Sequence, residues 1–278
     1  MSVNHNLDEA TVASFGDEWS HYDQEKLFSA EGVQAFEQYF DIFPWNKLQE
    51  KAEGFDMGCG SGRWAKFVAQ KVSHLNCIDA SDKALAVAKE NLSDMTNTAF
   101  HHATANDMVL EPSSQDFGYS LGVLHHIPDT ELAMKGCVDM LKPGAPFLVY
   151  LYYRFDNRPS WFKALWYISE IPRALICRLP NKLKPIATDF LAATVYWPIA
   201  RLAKGLEKLG LKVNWMPLSF YRNHSFYTMR TDSRDRFGMP LEQRFTRSEI
   251  TEMMTNSGLQ NIEFSDLEPY WVALGYKA

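Results

Sequence analysis

Hydrophobic and polar positions follow two different periods along the first half of this chain. Short apolar runs near 55–57, 74–80, 99–104, 116–122 and 146–153 are bounded by Gly, Asp or Pro, the pattern of strands buried on both faces. Helical spacing fills three of the gaps, at 63–71, 82–92 and 131–141. In the second of these, Ala84, Leu85, Val87 and Ala88 form an apolar face behind Ser81, a suitable N-cap. Strands alternating with helices in this way predict a parallel sheet covered on both sides. Near the end of the chain, Thr246 and Glu249 form a capping box that opens a helix running to Ser257, where Gly258 stops it. The last two runs, 260–265 and 270–276, lie too close for a crossover helix and should pair antiparallel. The expected fold class is therefore α/β: a seven-stranded, mostly parallel sheet with an antiparallel last strand, N-terminal helices, and a helical insertion after the fifth strand.

The pattern changes after Phe155. From there to about Arg244 the regular alternation gives way to proline-broken helical stretches, which predicts four regions: an N-terminal helical cap (1–50), an α/β core (51–154), a helical insertion (155–244), and a closing helix and strand pair (245–278). Charge follows the same division. Residues 151–215 hold eleven basic and four acidic residues, +7 in a chain of 278 residues whose net charge is −6, so the remainder carries −13. Aromatic and apolar positions at 161, 162, 165–167 and 171 partly follow helical spacing, which ordinarily means a buried face. An acceptor-binding lid and an amphipathic face resting on anionic lipid through 155–215 are the other two readings. Hydrophobic residues at 46% and charged ones at 22% allow a sizeable core and exclude a mainly disordered chain. No apolar run is long enough to span a bilayer, and the polar, acidic N-terminus resembles no leader, so a cytoplasmic location is expected. Cys59, Cys77, Cys137 and Cys177 lie far apart without a CxxC pair, so neither a metal site nor a disulfide framework is expected.

The stretch Gly54–Trp64, GFDMGCGSGRW, carries the first candidate chemistry. It lacks the GxxxxGK that grips a nucleotide phosphate, and Arg63 stands where a dinucleotide fingerprint needs its third glycine. Gly58, Gly60 and Gly62 instead let a ligand lie against bare backbone, and Asp56 ahead of them suits a ligand bearing an ammonium group. Asp79, 19 residues beyond Gly60 at the end of the next apolar run, is placed to accept ribose hydroxyls. These features describe an amino-acid-bearing nucleoside better than a diphosphate.

Taken together, DMGCGSGRW, CIDAS, ANDMVLEPSSQDFGYSLGVLHHIPD and LKPGAPFLVY, in this order between Phe55 and Tyr150, resemble the successive motifs of class I S-adenosylmethionine-dependent methyltransferases of the small-molecule type. The resemblance implies a Rossmann-like sheet and S-adenosylmethionine as cofactor, with S-adenosylhomocysteine as product. It places Gly58, Gly60 and Gly62 along the methionine part with Asp56 at its amino group, and counts Cys59 and Arg63 of the same turn among the cofactor residues. Asp79 would take the ribose, Ala80 the side of the adenine, Asp107 and Met108 its edge, and Leu121 the neighbourhood of the sulfonium. An N-terminal helix folded over the site would bring Trp19 to the cofactor and Tyr22 to the acceptor. One departure is the first strand, where only Phe55 and Met57 stand in for a longer aliphatic run.

Methyl transfer asks mainly for positioning, and for a base only where the acceptor must lose a proton. His125, His126 and Tyr152 are the candidates for that role, each at the carboxyl edge of a strand. The alternative for the histidines is a packing role in the following loop. Tyr153, Arg154, Arg222 and Tyr227 are candidates for holding an apolar or anionic small molecule. An acidic pI of about 5.8 and the lack of a recognisable RNA-binding module weigh against a nucleic-acid partner. An RNA- or lipid-directed methyltransferase and a non-catalytic S-adenosylmethionine-binding protein remain the alternatives. Neither the acceptor atom nor the oligomeric state is written in the sequence.

Overall fold

A computed structural model describes residues 6–21 and 30–278, with side chains for 6–18 and 31–278. The chain forms two compact units, one made of Met1–Arg154 with Gln243–Ala278 and the other of Phe155–Glu242.

In the first unit, helices α1 (Glu9–His21) and α2 (Ala30–Tyr39) precede the sheet. There follow β1 (Glu53–Met57), α3 (Ala65–Val68), β2 (His74–Asp79), α4 (Asp82–Asn91), β3 (Thr98–His102), β4 (Phe117–Leu121), α5 (Thr130–Met140) and β5 (Pro146–Tyr150). The seven strands of the described residues lie in the order β3-β2-β1-β4-β5-β7-β6, where β6 is Leu259–Phe264 and β7 is Val272–Lys277. The first five strands pair parallel; β7 is antiparallel to both β5 and β6. The strand order reverses between β1 and β4, which opens a crevice at their carboxyl ends, where sheets of this kind bind ligands.

Three helices of this unit begin at a side-chain cap. Ser81 accepts from Ala84 N–H to begin α4, and Asp129 accepts from Leu132 N–H to begin α5. The capping box of Thr246 and Glu249 is formed at the head of α10 (Arg247–Asn256), which packs near the strand pair. The helix expected over 63–71 is shorter, four residues at α3, because Gly62 still has φ +78° and delays helical backbone until after the glycine turn.

The unusual first strand has a packing explanation. Gly54 pairs with Phe117 and Phe55 pairs with Gly118 in the β1–β4 register. A Cβ on Gly54 would meet the Phe117 ring at 2.4 Å, and one on Gly118 would meet the Phe55 ring at 2.3 Å. Each glycine thus makes room for the ring across from it, and two aromatic rings supply the bulk that an aliphatic run would supply elsewhere. A cluster from α2 and the loop after it, Phe36, Phe40, Phe43 and Trp45, covers one face, with Phe40 edge-on to Tyr119 and Phe43 edge-on to Phe117.

The second unit is helical. It contains α6 (Ser160–Ile176), α7 (Lys184–Leu191) running through a π-helical turn into α8 (Trp197–Lys208), and α9 (Phe226–Gly238). Its apolar core is small, centred on Tyr196, Ala200, Met229 and Phe237, with a second cluster at Ala203, Val213 and Met216. Much of its interior is charged. Glu242, almost fully buried, holds Arg236 at 3.1 Å, and Glu170 pairs with both Arg236 and Arg173. Arg173 also donates to the carbonyls of Met239 and Pro240, Lys184 to that of Gly238, and Arg230 grips Asp189 through two nitrogens.

Candidate active site

The glycine turn leaves β1 and is clamped to the end of β2. The N–H groups of Gly58 and Cys59 donate to the Ile78 carbonyl at 2.8 and 3.0 Å, and Gly60 N–H donates to Asp79 Oδ2 at 2.9 Å. All three glycines have positive φ, +77°, +54° and +78°. At Gly58 the reason is double, since a Cβ there would also stand 2.4 Å from Val123, in the loop after β4. The turns after β1 and β4 therefore interlock at the point where the sheet order reverses.

Asp56 lies on β1 directly under this turn, opposite Cys77 on β2 and Tyr119 on β4. It is buried, and its Oδ2 has no hydrogen-bond partner among the described residues. Burial pushes its carboxyl up to about 8. The Tyr119 hydroxyl faces the group and opposes the rise without reaching hydrogen-bond geometry, and the nearby Asp79 adds to it. A buried carboxyl with an open oxygen below bare backbone fits a cationic amino group. Asp79 also has a raised pKa, from burial first, with the N–H groups of Ser81 and Gly60 working in the other direction. Its two oxygens accept from Gly60 and Ser81, so this carboxylate holds the turn while keeping lone pairs for further donors. The Arg63 guanidinium lies 4.4 Å from the Trp64 ring centroid, and its Nε is buried without a hydrogen-bond partner. Cys59 is buried beside Cys77; its contact with that thiol, and then burial, raise its pKa, so it stays protonated.

The other cofactor candidates lie at the same edge. Ala80 follows Asp79, and its carbonyl is within hydrogen-bond distance of His102 Nε2. Asp107 accepts from Thr104 N–H at 2.7 Å, which folds the loop after β3 and leaves Met108 exposed. Leu121 ends β4 and is followed by Gly122 at φ +83°, whose missing Cβ faces open space.

The structure brings the three candidate catalytic side chains together. The His125 ring stacks on Tyr152 at 3.9 Å between centroids and lies 4.1 Å from His126, and His126 is edge-on to Phe15 of α1 at 4.9 Å. His125 is fully buried, and neither ring nitrogen has a hydrogen-bond partner among the described residues. Burial, helped by His126 and Arg244, holds its pKa well below the usual histidine range, so the imidazole is neutral. Beyond Tyr152 the aromatic series continues through Tyr150 and Tyr39 to Trp64 and so returns to the glycine turn.

The acceptor candidates fall in both units. Arg154 is committed to Glu249 and to the Arg244 carbonyl, and Tyr153 packs on Tyr270 and Trp271. In the other unit, Arg222 pairs with Glu207 and donates to the Ser219 carbonyl, while Tyr227 lies in α9. The side chain of Trp19 and the whole of Tyr22 lie outside the described residues.

Several contributors carry no local sequence signal. Asn6 bonds Asn106 and both the N–H and the carbonyl of Asp129, tying the N-terminal segment to the loops after β3 and β4. Gly16 of α1 lies directly against Ser81 at the head of α4. Gln243 donates from its backbone to the His125 carbonyl and from its side chain to that of Ile127, so the chain re-entering from the insertion braces the histidine loop.

A doubly wound sheet with an acid beneath a three-glycine turn, and a second acid at the end of the neighbouring strand, is the architecture the sequence reading expects of a class I methyltransferase fold. The comparisons agree. Residues 55–149 match the model of a methyltransferase domain. A ubiquinone biosynthesis O-methyltransferase of Marinobacter nauticus is 27% identical over 159 residues, covering 52% of this chain and 63% of that relative. One from Aromatoleum aromaticum is 31% identical over 91 residues, 32% of this chain and 39% of the relative, and phosphoethanolamine N-methyltransferase 2 of Caenorhabditis elegans is 33% identical over 125 residues, 44% and 27%. Among solved structures, a putative methyltransferase from Bacillus halodurans aligns with TM-score 0.51 at 12% identity over 84% of this chain and 72% of its own. A SAM-dependent methyltransferase from Aquifex aeolicus aligns with TM-score 0.51 at 10% identity, over 91% and 94%. These two likenesses establish the fold alone. These findings support a class I S-adenosylmethionine-dependent methyltransferase domain over residues 55–149, with S-adenosylmethionine as the cofactor of such domains. It spans 39% to 63% of the two ubiquinone-pathway relatives above.

Proposed function

We propose that the protein transfers a methyl group from S-adenosylmethionine to a small-molecule acceptor. The observation that carries this reading is the open, buried Oδ2 of Asp56 beneath three positive-φ glycines, with Asp79 at the next strand end. Asp56 would hold the amino group, Arg63 the carboxylate, Asp79 the ribose hydroxyls, and Asp107 with the Met108 N–H the adenine edge. Leu121 would line the sulfonium side. When bound, S-adenosylmethionine supplies an electrophilic methyl on a sulfonium whose departure as a thioether is favourable.

The chain's own contribution is alignment and exclusion of water. The wall of His125, His126 and Tyr152 would orient the acceptor. His125, neutral and enclosed, suits the stacking floor of that wall, whereas His126 and Tyr152 are the groups placed to take or relay a proton. The insertion leaves the sheet unit just after Arg154 and returns at Gln243, and the two ends are stitched by the pairing of Tyr153 with Phe245 and by the Arg154–Glu249 ion pair. Curated relatives include both O- and N-methyltransferases, so the acceptor atom does not follow from similarity.

The test is a screen of fractionated cell metabolites for S-adenosylhomocysteine release. Release from a soluble small-molecule fraction supports the reading, whereas activity on RNA alone, or cofactor binding with no turnover on any fraction, contradicts it.

A further inference from the structure

The second unit is amphipathic in the inverse sense. Along α6, Trp161, Leu165, Ile168, Ile171 and Leu175 recur every three or four residues, and all five are exposed. Two of the three charged residues of the same helix, Glu170 and Arg173, turn inward to Arg236 and Glu242, the third being Lys163. The next helical stretch repeats the arrangement, with Leu183, Ile186, Phe190 and Trp197 at helical spacing and also exposed; across the two stripes the exposure runs from 42% to 68%. A helix in water normally turns its apolar stripe to the core and its charges out. Here an apolar stripe of this extent calls for a non-aqueous cover.

The charges around the stripes indicate which cover. Of the segment's acids, Glu170, Asp189 and Glu207 are each neutralised by an arginine of the same unit. Lys163, Lys182, Lys204, Lys208 and Lys212 make no ion pair among the described residues. The surface offered is therefore apolar and cationic, with Trp161, Trp197, Trp215 and Tyr167 among its exposed side chains, aromatic types that favour a headgroup boundary. A second copy of the same face would oppose lysine to lysine. No helix among the described residues is long and apolar enough to cross a membrane, so such a face would lie on a bilayer rather than through it.

We propose that α6, α7 and α8 form a docking face for an anionic lipid bilayer, their apolar stripes entering the headgroup boundary and the free lysines meeting lipid phosphates. The inference rests on the second unit alone and goes beyond the methyl-transfer reading. The test is flotation of the full chain with vesicles of phosphatidylcholine, with and without phosphatidylglycerol. The protein should float with the anionic vesicles at least about tenfold more than with neutral ones, and less as salt is raised. The double substitution Ile168→Asp with Ile171→Asp, at exposed positions, should abolish flotation, and Lys208→Glu with Lys212→Glu should lower it by about tenfold or more on anionic vesicles alone. Circular dichroism and S-adenosylmethionine titration of each variant should match the parent, which separates failure here from failure of the cofactor site. Absence of flotation on both vesicle types, flotation indifferent to the aspartate pair, or a self-associated or acidic-protein-bound form that the aspartate pair dissolves without any vesicle binding would each overturn the proposal.

Discussion

The two units bury opposite things. The sheet unit follows the ordinary rule: β1, β4 and β5 are buried almost throughout, and among its buried polar groups Asp56 Oδ2 and the His125 ring nitrogens have no hydrogen-bond partner among the described residues. The helical unit buries Arg173, Arg236 and Glu242 and exposes Ile168, Ile171, Ile186 and Phe190. In the first, a buried polar group without a partner is, under the proposed function, the place for a ligand. In the second, buried polar groups complete one another and the outer surface is left unsatisfied. The same class of observation, a polar side chain inside, thus carries opposite meanings, and what separates them is whether the group already has its partner.

Substitutions that exchange the roles would break this contrast. The largest effect is expected for Glu242→Gln, which removes the more deeply buried of the two carboxylates shared by Arg173 and Arg236 and should cost about 3–5 kcal/mol in a denaturant titration. Next is Gly118→Ala, where the new Cβ strikes the Phe55 ring; overpacking of about 1–3 kcal/mol is expected, and adding Phe55→Leu should recover part of it in a double-mutant cycle. The smallest is Ile171→Ser on the outward stripe of α6, which should change stability by less than about 0.5 kcal/mol although it removes a large apolar residue from a helix. An Ile171→Ser cost as large as that of Glu242→Gln would mean that the stripe is core after all.

Asp56 gives the contrast a pH dependence. Its carboxyl titrates near 8 when folded and at the ordinary 3.8 when unfolded. Below pH 4 both states hold the proton and the group is neutral to stability. Between about 4 and 8 the unfolded chain gives up its proton while the folded chain keeps it, so this residue lowers stability as pH rises, up to a plateau above 8. Accepting a cationic amino group requires the carboxylate, so cofactor affinity should rise from pH 6 towards 8 and binding at pH 7 should release about one proton, read as a buffer-dependent calorimetric enthalpy. Asp56→Asn should show neither effect.

Much of the sheet unit was legible because its signals are local. The glycine spacing, Asp79 and the Thr246–Glu249 box each span a few residues, and strand order follows once strands and helices alternate. The reciprocal fit of Gly54 with Phe117 and Phe55 with Gly118 was not legible, since it joins residues more than sixty positions apart. Nor was the direction of the α6 stripe. Periodicity shows that an apolar face exists at 161–175, and burial was the ordinary expectation, but the side it turns to is decided by the ion pairs of Glu170 and Arg173 with a helix and loop some seventy residues later. Arg154 and Arg222, which the sequence offered for an acceptor, have carboxylate partners at Glu249 and Glu207 that no spacing rule announces.

The most direct test of the site is isothermal titration of S-adenosylmethionine into the parent protein and into Asp79→Ala, with circular dichroism confirming that both are folded. One-to-one binding by the parent and a loss of at least about tenfold in the variant are expected, since the carboxylate holds the Gly60 N–H and, in the proposed placement, takes the ribose hydroxyls. Equal affinity in the two proteins would contradict the placement of the cofactor at the glycine turn.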